Sequence, residues 1–190
     1  PDGSGAPVRI AFVGNQWKRK GGDRVLEAHR RTLSDRAELH LFGAGAPDRI
    51  DVPHVMRHGP VERDELLNTW LPRMDVFVLA SREDMLPWAA IEAAAAGLPV
   101  VAPCRAGLPE VVRDGETGLL FAADRDDDLA VCLSRLVGDA DLRRRMGDAA
   151  VAHVTETFNA DRNYPALMER LVALADGGMG EWGMGGWVSG

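Results

Sequence analysis

The chain has 190 residues, of which 27% are charged, and a formal net charge of -7 at pH 7. An acidic chain is unsuited to general binding of nucleic acid or of an anionic membrane, since both need a basic surface, so any phosphate site must be local. A chain of this length can bury roughly 70% of its unfolded surface in one domain.

Short apolar runs alternate with helical patterns along most of the chain, after a polar, turn-prone leader at residues 1–7 that is typical of a linker. This alternation predicts a doubly wound α/β domain, a Rossmann-like parallel sheet with helices on both faces, over residues 8–175. The Gly- and Trp-rich residues 176–190 are predicted to form a flexible tail. Predicted strands occupy 8–13, 37–42, 55–57, 76–80, 100–102 and 118–121, and predicted helices occupy 22–33, 62–71, 88–96, about 109–113, 126–137, 141–157 and 160–175.

A basic loop follows the first predicted strand. Lys18, Arg19 and Lys20 crowd the amino end of the helix that Gly21 or Gly22 opens. A helix amino end favours anions, and a cation there costs up to about 1 kcal/mol, so the cluster suggests a negatively charged ligand such as a diphosphate. The alternative is a solvated basic loop. The spacing matches neither the Walker motif nor the three-glycine dinucleotide fingerprint.

Two carboxylates flank a predicted helix start in the segment that follows the fourth predicted strand. Asp84 and Glu92 have seven residues between them, and Pro87 suits the first helical position. Met85 and Leu86 have no side-chain oxygen to cap the first turn, so its amides are open to an anionic or hydroxylated ligand unless Asp84 folds back onto them. Glu92 has mostly alanine neighbours and is expected to be partly desolvated; a solvent-facing glutamate is the alternative.

These motifs resemble the carboxyl-terminal half of the retaining nucleotide-sugar glycosyltransferases of family 4 (group 1), over residues 8–175. The family signature is an acidic residue, seven others, a Glu, and an Ala-rich turn into Gly-x-Pro-Val-Val. The resemblance implies that Glu92 binds the ribose hydroxyls of the nucleotide and that Asp84 approaches the donor sugar. Asp84 stands where the family more often has Glu and is one methylene shorter.

The basic loop is similar to the family's Gly-Arg-(five residues)-Lys-Gly loop, with Gly14 and Lys20 in register and Asn15 in place of the usual Arg. The resemblance implies that Lys20 contacts the donor diphosphate. Arg19 is expected to supply the absent charge from a neighbouring position, whereas Asn15 can hydrogen-bond a phosphate or sugar oxygen without charge.

The segment His58-Gly59-Pro60-Val61 is a weaker match, at the place where the family shelves the nucleotide base. Val61 is expected to pack on a face of the base, and the helix start at Met85, Leu86 and Pro87 is expected to face the diphosphate. The glycine-containing turns at 107–112 and 114–118 also match the family, and we assign them no catalytic role.

Sites of other kinds find little support. His54 and His58 are four residues apart on a predicted strand, where such a step separates side chains by roughly 13 Å, so we expect no protein-held metal. Ser81 and Cys104 lack the surroundings of a nucleophile. Cys104 and Cys132 match neither a disulfide framework nor a zinc site, and no apolar run approaches a membrane helix, which favours a soluble protein in a reducing cytoplasm.

The sequence therefore predicts the donor-binding half of a retaining glycosyltransferase that uses a nucleoside-diphosphate sugar as substrate and needs no further cofactor. The expected partner is an amino-terminal acceptor-binding domain, without which this half should bind donor but transfer no sugar. A non-catalytic nucleotide-sugar-binding module is the main alternative, and a sugar-nucleotide epimerase is a third possibility.

Overall fold

A computed structural model describes residues 6–83 and 88–159, together with 161, 163–165, 168, 169 and 172. The chain forms two compact units, Pro1–Glu156 and Thr157–Gly190. The first unit contains the whole sheet. The helix expected at 160–175 and the tail at 176–190 fall mostly outside the described residues.

A six-stranded parallel sheet in the order β3-β2-β1-β4-β5-β6 organises the first unit. The predicted doubly wound α/β fold is therefore confirmed. The strand order reverses between β1 and β4, and open sheets of this kind bind ligands outside the carboxyl ends of the strands at such a reversal. The strands are β1 (Val8–Val13), β2 (Ala37–Phe42), β3 (Val55–Gly59), β4 (Val76–Val78), β5 (Val100–Pro103) and β6 (Gly118–Phe121).

Helices connect the strands and cover the sheet. The helices are α1 (Trp17–Lys20), α2 (Gly22–Thr32), α3 (Arg63–Glu65), α4 (Trp88–Ala95), α5 (Leu108–Val111), α6 (Asp126–Gly138) and α7 (Ala140–Thr157). The central strands β4 and β5 are buried at every position, because a parallel sheet is covered on both faces.

The helix predicted at 62–71 is irregular. It begins as α3, widens into a π-helical turn at Leu66–Trp70 and ends as a 3₁₀ turn at Leu71–Arg73. Pro72 lies in the first turn of the 3₁₀ segment. The predicted helix is therefore present, and because a proline has no N–H and cannot continue the regular ladder, it changes to a 3₁₀ turn at this end.

The short helix α1 was not predicted, and glycine ends it after one turn. Gly21 has φ +74, and a Cβ built there would lie 2.0 Å from the carbonyl oxygen of Ala80. A side chain at this position would therefore meet both backbone strain and a direct clash. The absence of a side chain lets the loop after β1 lie against the backbone that follows β4, which brings the two predicted site segments together.

Candidate functional site

A cavity of about 330 Å³ opens at the carboxyl edge of the sheet, between the loop after β1 and the start of α4. The cavity lies beyond the carboxyl end of β1, next to the point where the strand order reverses. A ligand crevice is expected at this position. The cavity is lined by Val13, Gly14, Asn15, Gln16, Arg19, Lys20 and Ala89.

A larger cavity, about 640 Å³, lies at the opposite edge, among residues that precede strands β4 and β5 or join α6 to α7, such as Asp75, Pro99 and Asp139. A third cavity, about 670 Å³, is lined by residues such as Val8 and His54, so size alone would favour neither the 640 Å³ cavity nor the carboxyl edge. Parallel sheets bind ligands at the carboxyl edge, and the sequence places its candidate phosphate and carboxylate residues there, so we take the smaller cavity as the candidate site.

Gly14 and Lys20 pack against each other at the end of β1. A Cβ on Gly14 would lie 2.9 Å from Cβ and 3.0 Å from Cγ of Lys20. The Gly14 N–H also donates a hydrogen bond to the Phe42 carbonyl at 2.9 Å. The lack of a side chain at Gly14 thus allows the stem of Lys20 to lie against the strand end, with Lys20 on the wall of the cavity.

Asn15 has a structural contact that the sequence did not indicate. Its Oδ1 accepts a hydrogen bond from the Ala44 N–H at 3.0 Å, which ties the loop after β1 to the loop after β2. The side-chain nitrogen Nδ2 is therefore the atom of Asn15 suited to donate to a phosphate or sugar oxygen. Asn15 carries no charge, as expected from its replacement of the family's arginine.

Arg19 lies on the cavity wall and bridges the two site segments. Its Nη1 donates a hydrogen bond to the Glu83 carbonyl at 2.9 Å, and its Nε donates to the Gln16 side chain. Arg19 is thus placed beside the predicted diphosphate position, and it also holds the residue that precedes Asp84.

Arg82 is a residue of this region that sequence reasoning missed. Its guanidinium donates to both carboxylate oxygens of Asp23, at 2.9 and 3.2 Å, and its main-chain N–H donates to the Arg19 carbonyl at 2.9 Å. Partial burial opposes ionisation of Asp23, but hydrogen bonds from Arg82 and Lys18 outweigh it, so the pKa of this carboxyl lies below its usual range.

The three bases of the loop after β1 are not placed as unfavourably as the sequence suggests. Lys18, Arg19 and Lys20 precede α2, as expected, but they also form the last turn of α1, where a cation is favourable. Lys18 is 3.0 Å from Asp23 in the first turn of α2. The charge of Lys18 is therefore balanced within the protein, and the clustered bases alone do not require an anionic ligand.

Glu92 lies on α4, and its side chain is only 16% exposed. The predicted partial desolvation is confirmed, and the solvent-facing alternative is wrong. Arg63, at the start of α3, donates from Nε and Nη2 to the Oε1 atom of Glu92 at 2.8 and 2.6 Å. No local motif connects two residues 29 positions apart, so this pair could not be predicted from the sequence.

Val61 follows β3, is half-buried, and does not line the 330 Å³ cavity. His58, three residues earlier, stacks on Phe42 with ring centroids 4.5 Å apart. The centroids of the His58 and Trp70 rings are 4.2 Å apart. The His58 Nε2 atom is also 3.0 Å from Nδ1 of His40. His58 is thus packed among aromatic rings. The role of Val61 as a shelf for the nucleotide base stays a prediction.

Asp84, Met85, Leu86 and Pro87 lie outside the described residues, so their expected roles stay predictions. Residues on either side are described: Glu83 accepts the hydrogen bond from Arg19, and Ala89 lines the cavity. Within the described ranges, no three His, Cys, Asp or Glu side chains are grouped to hold a metal ion.

A family model described as Glycosyl transferases group 1 matches residues 7–139. Among curated relatives, the D-inositol 3-phosphate glycosyltransferase of Streptomyces scabiei (strain 87.22) is 38% identical over 181 residues. That alignment covers 85% of this chain and 40% of the relative, so the chain spans less than half of the relative's length.

Two solved structures share the fold. The sucrose-phosphate synthase of Thermosynechococcus elongatus superposes with a TM-score of 0.74 at 25% identity, covering 88% of this chain and 46% of that one. HepE of Anabaena, solved in complex with UDP-glucose, gives a TM-score of 0.75 at 17% identity, covering 88% and 49%. In the described part of this chain, none of the helices is long and apolar enough to cross a membrane.

Proposed function

We propose that this chain, which belongs to the glycosyl transferases group 1 family, is the donor-binding half of an enzyme that transfers a sugar from a nucleoside-diphosphate sugar to an acceptor. The observation that carries this proposal is the cavity at the carboxyl edge, which brings the basic loop after β1 to the start of the helix that holds Glu92. A nucleoside diphosphate carries negative phosphates, which bind cations, and ribose hydroxyls, which donate hydrogen bonds to a carboxylate.

The diphosphate contacts Lys20. Gly14 has no side chain to block the approach of the diphosphate to the end of β1. Arg19 supplies a second positive charge from the cavity wall, and Asn15 donates from Nδ2. Charge-assisted hydrogen bonds to phosphate oxygens are about twice as strong as neutral ones. These contacts supply most of the affinity for the charged part of the donor.

The nucleoside and the sugar occupy the two sides of the diphosphate. Glu92 accepts hydrogen bonds from the ribose hydroxyls, and Val61 packs on the base. Asp84 approaches the donor sugar, and the backbone N–H groups of Met85 and Leu86 contact the diphosphate. The partial burial of Glu92 supports its role, because a carboxylate in a site of low polarity binds hydroxyl donors more strongly than one in water.

The reaction breaks the bond between the anomeric carbon of the sugar and the diphosphate oxygen, and negative charge develops on the leaving diphosphate. Preorganised donors aimed at that charge lower the barrier. Lys20, Arg19 and the backbone N–H groups of Met85 and Leu86 have this function. The resemblance to the family supports transfer with retention of anomeric configuration and without a metal ion.

The acceptor binds outside this chain. The chain covers 40% of the relative from Streptomyces scabiei and 49% of HepE, which supports a second domain that completes the cleft. Transfer requires donor and acceptor in a near-attack geometry with water excluded. The isolated chain therefore binds donor without transferring sugar, and it behaves in solution as a nucleotide-sugar-binding module.

Titration calorimetry with UDP, GDP and ADP tests donor binding and identifies the base. Hydrogen bonds to a charged group contribute about 1.5–3 kcal/mol, so Glu92→Gln should weaken binding of the preferred diphosphate at least about tenfold. Glu116→Gln, an exposed carboxylate before β6, is the matched control and should leave affinity unchanged. Failure of all three diphosphates to bind the wild type, or equal affinity of the wild type and Glu92→Gln, would contradict the proposal.

A further inference from the structure

The pair formed by Arg63 and Glu92 is one-sided. Both guanidinium nitrogens of Arg63 that contact Glu92 converge on the same atom, Oε1, at 2.8 and 2.6 Å. Among residues 6–83 and 88–159, none donates a hydrogen bond to the second oxygen, Oε2. The carboxylate is thus anchored through one oxygen and can accept hydrogen bonds through the other.

The two partners differ in their exposure to solvent. The Glu92 side chain is 16% exposed, whereas the Arg63 side chain is 69% exposed. An ion pair with one partner this exposed contributes little to stability, because solvent screens it and the long side chain loses rotational freedom. Support of the fold is therefore a weak explanation for the contact.

Arg63 also lies directly beyond the segment assigned to the base. β3 ends at Gly59, Val61 follows, and α3 begins at Arg63. A single short stretch of chain thus holds both the expected base contact and the anchor of the expected ribose contact. The orientation of Glu92 is coupled in this way to the position of the base.

We propose that Arg63 is a positioning residue, which holds Oε1 of Glu92 so that Oε2 faces the ribose hydroxyls and thereby sets the preference for ribonucleotides. This inference rests on the proposed function, since it assumes that Glu92 accepts from a ribose. A carboxylate with one oxygen fixed loses less rotational freedom when a vicinal diol binds, so the ribose contact is formed at lower entropic cost.

A binding comparison on the purified chain tests this role. The ligands are the preferred diphosphate among UDP, GDP and ADP and its 2′,3′-dideoxy counterpart, which lacks the ribose hydroxyls. Wild type, Arg63→Met, Arg63→Lys, Glu92→Gln and the double variant Arg63→Met/Glu92→Gln are titrated by calorimetry with each ligand. Arg57→Met is the matched control, because Arg57 forms an exposed pair with Asp48 at 3.1 Å on the neighbouring strand β3.

We expect Arg63→Met to weaken binding of the ribonucleotide about tenfold and to change binding of the dideoxy ligand less than twofold. Arg63→Lys should recover part of the loss, because an ammonium can hold Oε1 at one point. In the Glu92→Gln background, Arg63→Met should have almost no further effect, since two residues that act through one contact are not additive. Arg57→Met should bind both ligands as the wild type does.

Three results would overturn the inference. Equal losses for the two ligands would show that Arg63 contacts the base or phosphate instead, and unchanged affinity would show that the pair has no part in binding. Tighter binding by Arg63→Met would show that Arg63 competes with the ribose for Glu92. If the wild type binds none of the three diphosphates, the proposed function itself fails. If the wild type binds and prefers the ribonucleotide, any of the three results above overturns only the role of Arg63.

Discussion

The two edges of the sheet differ in what their charged residues contact. At the amino edge, two arginines that line the 640 Å³ cavity have partners within the protein: Arg143 donates to the carbonyl of Leu136 at 2.7 Å, and Arg144 pairs with Asp141 at 2.8 Å. At the carboxyl edge, Arg19 donates to the backbone of Glu83, and Arg63 holds only one oxygen of Glu92. The two arginines of the 640 Å³ cavity at the amino edge thus have partners on α6 and α7. The volume of that cavity is therefore a poor guide to where a ligand binds.

The largest expected effect tests whether the carboxyl edge depends on a close backbone contact. Gly21→Ala should destabilise the chain by about 3 kcal/mol, because a positive φ for alanine costs roughly 1–2 kcal/mol and the added Cβ would also meet the Ala80 carbonyl. Binding of nucleoside diphosphate should fall at least tenfold in parallel. Chemical unfolding and calorimetry measure the two effects.

Gly115→Ala provides the matched control. Gly115 has nearly the same φ, +76, but a Cβ there would have nothing within 4 Å. This variant should lose only about 1 kcal/mol of stability, the backbone part of the penalty, and should bind diphosphate normally. Equal losses in the two variants would show that the contact with Ala80 is unimportant.

The second-largest effect compares the loss of a positive charge at the carboxyl edge with the same loss at the amino edge. Lys20→Met should weaken diphosphate binding about tenfold and nucleoside binding less than twofold, since the proposed contact of Lys20 is with phosphate. The wild-type affinity for diphosphate should also decrease with salt more steeply than that of the variant. Arg144→Met, at the amino edge, should leave both affinities as they are, and an equal loss in that variant would remove the distinction between the edges.

The third effect concerns the connection between the two site segments. Arg82→Met removes the contacts to Asp23, and we expect a threefold to fivefold loss of diphosphate affinity, roughly 1 kcal/mol, because the segment leading to Asp84 is then held less firmly. Stopped-flow binding should show the loss mainly in the dissociation rate. An unchanged dissociation rate would mean that Arg82 and Asp23 serve only local stability.

The smallest effect is a dependence of stability on pH. Burial lowers the pKa of His40, against the opposing influence of Glu38, and burial together with the neighbouring His40 lowers that of His58. The unfolded chain then takes up protons near pH 6.5 while the folded chain does not, so the stability present above that pH is lost as pH falls through the folded pKa. We expect at most about 1 kcal/mol lost between pH 7 and 5.

His40→Phe tests this assignment, because it keeps an aromatic ring beside Phe42 and removes the titrating group. Urea unfolding at pH 7, 6 and 5 should give a shallower decrease for the variant than for the wild type. Parallel curves for the two proteins would exclude His40 as a source of the dependence.

The sheet could be predicted from the sequence because its strands are nearly continuous apolar runs. Val76–Val78 and Val100–Pro103 are buried at every position, so no alternation is needed to recognise them. The helix at 62–71 was harder, since spacing of apolar residues does not show how the proline at 72 alters the hydrogen bonding. Local signals therefore predicted where elements lie better than how they end.

The candidate site was predictable only as separate segments. The basic loop and Glu92 each had a local signal, whereas the contacts of Glu92 with Arg63 and of Arg82 with Asp23 join residues 29 and 59 positions apart. Such pairs depend on the sheet order, which composition and periodicity do not fix. The balance of charge at Lys18 was not predicted either, because the sequence did not show the turn of helix α1 that places Lys18 near Asp23.

The central claim is that nucleoside diphosphate binds at the carboxyl edge of the sheet, and amide NMR of the chain during titration with the preferred diphosphate tests it most directly. We predict the largest shifts at Gly14, Lys20, Ala89 and Glu92, with little change around Asp139 at the amino edge. Saturable binding with its largest shifts around Asp139, or with none at Gly14 and Lys20, would contradict the claim.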